Sequence, residues 1–146
     1  MEYPFIGLHV LASISQIQDL LLLNDPERIQ KILERGVVRA NATSISWHLG
    51  RFEPQGCTVL GLLGESHVSV HTYPEHSSLF LDAFTCGLTC RPELILTEML
   101  EQIGPCHCIT DTVLRDRTSN RIQATTKDAP ANMSTGEMPN FSPPTP

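Results

Sequence analysis

The sequence contains no G-x-S-x-G elbow, no C-x2-C pair, no basic cluster and no apolar run near the ~20 residues of a membrane span. Each absence removes a class of function. Without the elbow, no serine is marked as the nucleophile of an α/β-hydrolase. Basic residues are scattered and the net charge is −6, which argues against nucleic acid or anionic lipid as the main partner. The leucine run Leu20 to Leu23 is short and bounded by Asp19 and Asn24. The first ten residues, MEYPFIGLHV, lack a basic region and a small-residue cleavage site, so a cytoplasmic protein is expected. Five cysteines, an odd number, then read as free thiols in a reducing compartment. Cys86-x3-Cys90 and Cys106-His107-Cys108 offer soft ligands at spacings that suit zinc poorly, and no metal is expected. The N-x-S/T triplets at Asn41, Asn132 and Asn140 are chance matches on the same reasoning.

What remains is a chain of 146 residues, 40% hydrophobic and 18% charged, suited to one globular domain. "FIGLHVLASI" alternates as a strand: Ile6, Leu8, Val10, Ala12 and Ile14 share one face, and Gly7, His9, Leu11 and Ser13 the other. "NDPERIQKILERG" predicts a helix with Asp25 as N-cap, Pro26 at N1 and Gly36 as C′. Four strands follow, in "NATSISWHLGRF", "TVLGLL", "SHVSVHTY" and "LFLDAFTC". "CRPELILTEMLEQIGP" predicts a second helix with Pro92 at N1, Gly104 at C′ and Pro105 as stop, and "CHCITDTVLR" a last strand. The order β-α-β-β-β-β-α-β predicts an α+β two-layer sandwich: a mostly antiparallel sheet with two helices packed on one face. The pattern fades near Thr118. The last twenty residues hold five of the eleven prolines and few aliphatic side chains, so a domain over 1–117 and a disordered tail over 118–146 are expected.

Chemistry-bearing residues crowd one stretch: Glu65, Ser66, His67, His71, Tyr73, Glu75 and His76, then Cys86. Each has an ordinary reading. Most strand serines face solvent, free cysteine is commonly a small buried hydrophobe, and a turn glutamate is solvated. Trp47 reads as core packing, and His9 and His48 as half-buried strand histidines. Taken alone, the cluster is a candidate Ser–His or Cys–His site, with His71 on the strand beside Cys86.

Together these residues resemble the prokaryotic pyruvoyl-dependent S-adenosylmethionine decarboxylases. That family carries a block close to E-S-H-[hydrophobic]-[ST]-[IV]-H-T-W-P-E, followed by D-x-F-T-C-G. This chain reads E-S-H-V-S-V-H-T-Y-P-E, then HSSLFL, then D-A-F-T-C-G. "NATSISWHLGRFEPQGCTV" is similar to the family's G-A-T…H-R-F-x-P-x-G-x-S stretch, and "GLHVL" to its G-x-H-L strand. The likeness runs from about Gly7 to Arg117.

The resemblance implies a proenzyme that cuts itself between Glu65 and Ser66. Ser66 Oγ attacks the Glu65 carbonyl, β-elimination releases the first chain, and residue 66 becomes a pyruvoyl group. That group forms a Schiff base with the substrate amine and serves as electron sink for decarboxylation. Carried over by position, Cys86 is the proton donor, His71 assists processing and Thr58 stands at a processing serine. Phe52 and Tyr73 match two aromatics that sandwich adenine, and Glu75 a carboxylate on the ribose. A homodimer of cleaved protomers is implied, with active sites near the interface, and a product that feeds spermidine synthesis. The departures are Tyr73 for tryptophan, Asn41 for glycine, Gly50 for histidine, Arg91 for an acidic residue, and HSSLF for a run rich in Gly, Tyr and Ala. Tyr73 and HSSLF favour an alternative, an ornithine or arginine decarboxylase on the same scaffold. Phe52 and Glu75 oppose it, since an amino acid without adenosine needs neither. A third reading is an uncleaved regulatory paralogue.

Overall fold

The computed structural model describes residues 6–116 and 123–131. In chain order the elements are β1 (Ile6–Ser15), α1 (Pro26–Arg39), β2 (Ser44–Arg51), β3 (Cys57–Leu63), β4 (Ser66–Tyr73), β5 (Ser78–Cys86), α2 (Glu93–Ile103), β6 (Cys106–Asp116) and β7 (Gln123–Ala131). The strands make one sheet in the order β2-β3-β4-β5-β1-β6-β7, antiparallel at every described pairing. Both helices pack on one face, giving the expected two-layer sandwich.

Strand alternation builds the core. Val10, Ala12 and Ile14 of β1, Val68 and Val70 of β4, and Leu79, Leu81 and Ala83 of β5 are buried. They form one cluster with Ile29, Leu33 and Val37 of α1 and Ile95, Leu96 and Met99 of α2. Among the described residues, no helix lies over the opposite face. Leu60, Leu62, Phe80 and Ile109 on that face are 40–49% exposed. They share that face with polar side chains, among them His67, His71 and Asp82.

Helix α1 starts as predicted, with the Asp25 carboxylate accepting from the Arg28 backbone N–H at 3.0 Å. The leucine run ahead of it is a lead-in. It makes a 3-10 turn (Leu22–Asn24), and the Leu23 carbonyl accepts from the Thr72 hydroxyl at 2.7 Å. Gly36 is not the C′ residue. The helix runs on to Arg39 with Ala40 as its cap, and Gly36 lies where α1 crosses α2. A Cβ there would lie 2.9 Å from Ile95 Cα. The glycine is needed for close helix approach, a signal that sequence alone does not separate from a cap. At the other helix, Pro92 is the N-cap and Gly104 the C-cap, each one place from its expected position.

Charge closes the same seam. Arg35 and Arg39 reach the largely buried Glu98 at 3.0 and 2.7 Å, and Arg39 also reaches Glu101 at 2.7 Å. Burial alone would raise the Glu98 carboxyl, but hydrogen bonds from Arg39 and Arg35 outweigh it and hold it below the usual carboxylate range.

The sheet extends beyond the expected end of the fold. β7, drawn from the stretch read as tail, pairs with β6 from Leu114↔Gln123 to Cys106↔Ala131. Its sequence, QATTKDAPA, has no alternation of large apolar residues, so pattern reading passes over it. Backbone pairing at a sheet edge does not need that alternation, and an edge tolerates Pro130. The remainder of the expected disordered tail lies outside the described residues.

Gly36→Ala tests the helix crossing. In an open helix this change gains about 1 kcal/mol. Here the forced contact should reverse the sign and cost about 1–3 kcal/mol, lowering the melting temperature. A raised melting temperature would remove the packing explanation.

Candidate active site

Strands β3 and β4 are joined by two residues, Gly64 and Glu65, with Leu63 opposite Ser66. The turn is pinned from outside. Gly64 N–H donates to the Thr43 carbonyl at 2.8 Å, and Thr43 N–H donates to the Glu65 carboxylate at 2.9 Å. Ser66 opens β4 with φ of 146°, a conformation L-residues rarely adopt. Such strain costs about 1–3 kcal/mol and persists only where surroundings impose it. It also takes the Ser66 side chain off the regular alternation. The Ser66 hydroxyl and the Cys86 thiol come within 3.8 Å. The Cys86 backbone N–H donates to the Glu65 carbonyl at 3.0 Å. The Glu65–Ser66 peptide therefore has a hydroxyl beside it, a donor on its carbonyl oxygen and strain at its nitrogen side.

A second group sits at the far end of the same strands. Thr58 Oγ1 and His71 Nδ1 are 2.9 Å apart, on the paired positions Thr58↔His71. Tyr73 follows two residues later, 39% exposed, with Phe80 edge-on at 5.3 Å between ring centroids. A cavity of about 410 Å³ opens beside these two rings, lined also by Ser13, His76, Ser78 and Ile109. Phe52 and Glu75 are exposed at this end, in the turns after β2 and β4.

The two groups do not meet within the protomer. Ser66 and His71 are five residues apart on one strand, about 16 Å at the usual rise. His71 pairs with Phe80 on β5, six places from Cys86. His71 is on the strand adjacent to that of Cys86, as expected, but the register sets it opposite Phe80 rather than level with Cys86. Periodicity places a residue on a face, and only register says how far along the strand its neighbour is.

Three residues went unassigned by sequence reasoning. His9 Nε2 and His67 Nε2 both approach Asp82 Oδ1, at 3.2 and 3.0 Å. They come from three adjacent strands. The only sequence signal for them is that each falls within a motif of the resemblance: G-x-H-L, E-S-H and D-x-F-T-C-G. Cys106 and Cys108 are core side chains, where burial pushes both thiols up, Cys108 to about 11.

A profile of the S-adenosylmethionine decarboxylase family matches residues 8–116. The chain belongs to that family. The S-adenosylmethionine decarboxylase proenzyme of Brevibacillus brevis is 40% identical over 105 residues, covering 72% of this chain and 78% of that protein. The proenzyme of Aquifex aeolicus is 38% identical over 100 residues, covering 68% and 73%. The crystal structure of the adenosylmethionine decarboxylase from Aquifex aeolicus superposes with a TM-score of 0.63 at 28% identity, covering 92% of this chain and 99% of that one. The decarboxylase family match spans from β1 to the end of β6. One departure now has a physical reason. Asn41, standing for the family's glycine, has φ of 57°, and asparagine is the side chain that best tolerates that region.

The strain at residue 66 is testable in precursors that cannot cut themselves. Ser66→Gly should be more stable than Ser66→Ala by roughly 1–2 kcal/mol in thermal or urea unfolding, because only glycine adopts the observed φ freely. Equal stability would remove strain from the account of this bond.

Proposed function

We propose that this chain is a self-processing decarboxylase that acts on S-adenosylmethionine through a pyruvoyl group formed from Ser66, as a homodimer in the cytoplasm. The observation that carries this reading is the Glu65–Ser66 bond, held with a hydroxyl at its side and the Cys86 N–H on its carbonyl oxygen. Attack by Ser66 Oγ on that carbonyl puts negative charge on an oxygen that already has a donor, which favours the acyl shift. Conversion of residue 66 to a trigonal α-carbon also releases the strain of its positive φ.

The residues present fit such a group. Once formed, it supplies a carbonyl that takes the substrate amine and draws off the electron pair left by departing CO2. Cys86, its thiol 3.8 Å from the Ser66 hydroxyl, is the proposed proton donor to the substrate carbon. His71, its Nδ1 engaged by Thr58, keeps Nε2 as the nitrogen available for proton transfer during processing. Tyr73 offers a ring face for adenine, Phe52 a second ring, and Glu75 acceptors for ribose hydroxyls. That set favours a nucleoside-bearing substrate over free ornithine or arginine, which would leave the aromatics without a partner.

A second copy of the chain supplies what one protomer lacks. Ser66 and Cys86 stand at one end of the uncovered sheet face, and Thr58, His71 and Tyr73 at the other. Two such faces packed about a two-fold axis, strands opposed, place one protomer's Ser66 against its partner's His71. The same packing buries the apolar side chains left exposed on the face.

Intact mass of purified protein should give two chains, split between Glu65 and Ser66, with the second blocked at its start. CO2 should be released from S-adenosylmethionine and not from ornithine or arginine. A single uncut chain, or release only from an amino acid, would overturn the reading. The shared site has its own test by co-expression. The His71→Ala chain should stay uncut alone and be cut when paired with a Ser66→Ala chain, since the mixed dimer restores one complete site. No cutting in the mixture would place processing within a single protomer.

A further inference from the structure

His9, His67 and Asp82 belong to motifs whose functional roles the proposed mechanism leaves empty. They converge on one carboxylate oxygen from β1, β4 and β5. The two imidazoles flank a common neighbour: His9 and His67 both pair with Phe84 across the sheet. The three rings form a triangle: Phe84 is 5.2 Å from His9 and 6.0 Å from His67 by centroid, and the two imidazoles meet edge-on at 6.0 Å. Arg115 covers the Phe84 ring at 4.7 Å. The Asp82 carboxylate thus ties β1 and β4 to β5 beside a packed triangle of rings. Aspartate between two histidines makes charge-assisted bonds whenever a ring carries a proton, and ordinary N–H donors serve otherwise.

The position of His67 gives the tie its purpose. In the precursor, the start of β4 is held covalently through Gly64 and Glu65 to β3. Self-cleavage cuts that tether. Residue 66 becomes a chain terminus, and His67 becomes its first complete amino acid. New termini fray unless something ties them down. Fraying here would carry the reactive carbonyl away from Cys86, now 3.8 Å from the Ser66 hydroxyl. We infer that His67, Asp82 and His9 form a clasp that holds the newly cut end of β4 on the sheet, making them positioning residues for the pyruvoyl terminus. The inference rests on cleavage at Ser66 as proposed above. The clasp is redundant in the precursor, where the hairpin does the same work, and necessary only after the cut. That difference separates it from a general stabilising cluster.

Hydrogen exchange on cut and uncut protein tests this. Asp82→Asn keeps the shape of the side chain and removes its charge. The mature Asp82→Asn protein should lose protection at the amides of residues 67–70 by roughly tenfold or more relative to mature wild type, the loss expected from one or two charge-assisted bonds. The same substitution placed in a Ser66→Ala precursor should leave those amides unchanged. His67→Ala and His9→Ala should rank in the same direction. Equal loss in both forms would make the cluster a structural feature of the sheet and overturn the inference. No loss in either would overturn it as well, as would arrest of self-cleavage by Asp82→Asn, since the precursor would then need the clasp. Wild-type protein that shows no cut by mass fails the parent reading instead, so the two failures are told apart.

Discussion

The register of β4 is the constraint on which the site depends. A two-residue turn sets Leu63 opposite Ser66, and the β4–β5 ladder then sets Ser66 opposite Thr85. From that one alignment follow the meeting of Ser66 with Cys86, the Cys86 N–H on the Glu65 carbonyl, and the pairing of His71 with Thr58. A slip of one residue would turn every side chain of β4 to the other face. The hydrophobic face guards against it, because Val68, Val70 and Thr72 must point at the core. The fold thus holds a strained peptide in place with forces spread over a whole sheet, a far larger reserve than about 1–3 kcal/mol of local strain.

The same alignment explains why the candidate residues fall into two groups. A strand is rigid and straight, so residues five apart cannot converge on one substrate within one sheet. In the dimer proposed above, the second group comes from another copy of the chain. The uncovered face, with leucines and Phe80 beside the polar residues, is the surface that another copy would cover. The proposed dimer answers two features at once: the distance between the two groups along β4 and the apolar side chains exposed on the open face.

Much of this was legible in the residues. The order of elements, the Asp25 cap and the faces of β1, β4 and β5 follow from period and capping chemistry. The Glu65–Ser66 bond stood out because its neighbours are chemically unusual. Three things were hidden, each for a physical reason. Gly36 could be read as a cap because a crossing helix leaves no local mark. β7 lacked alternation because the backbone ladder holds an edge strand without it. The height of His71 relative to Cys86 depends on register, which links residues that are distant in sequence.

The drift of the recognition residues looks different once contacts are known. Tyr73 alone is a smaller platform than tryptophan. It does not stand alone, since Phe80 meets it edge-on from the next strand. Phe80 belongs to the stretch HSSLF that replaces a run rich in Gly, Tyr and Ala, so the two departures are neighbours in space. Tyr73 on β4 and Phe80 on β5 together line the cavity, with Ser13 and Ile14 of β1 on its other side. Read in this way, the changes do not weaken the case for an adenine-bearing substrate. They argue for the same substrate class held against a wall built from two rings, with the reactive end of the site left as the family has it at Ser66 and Cys86.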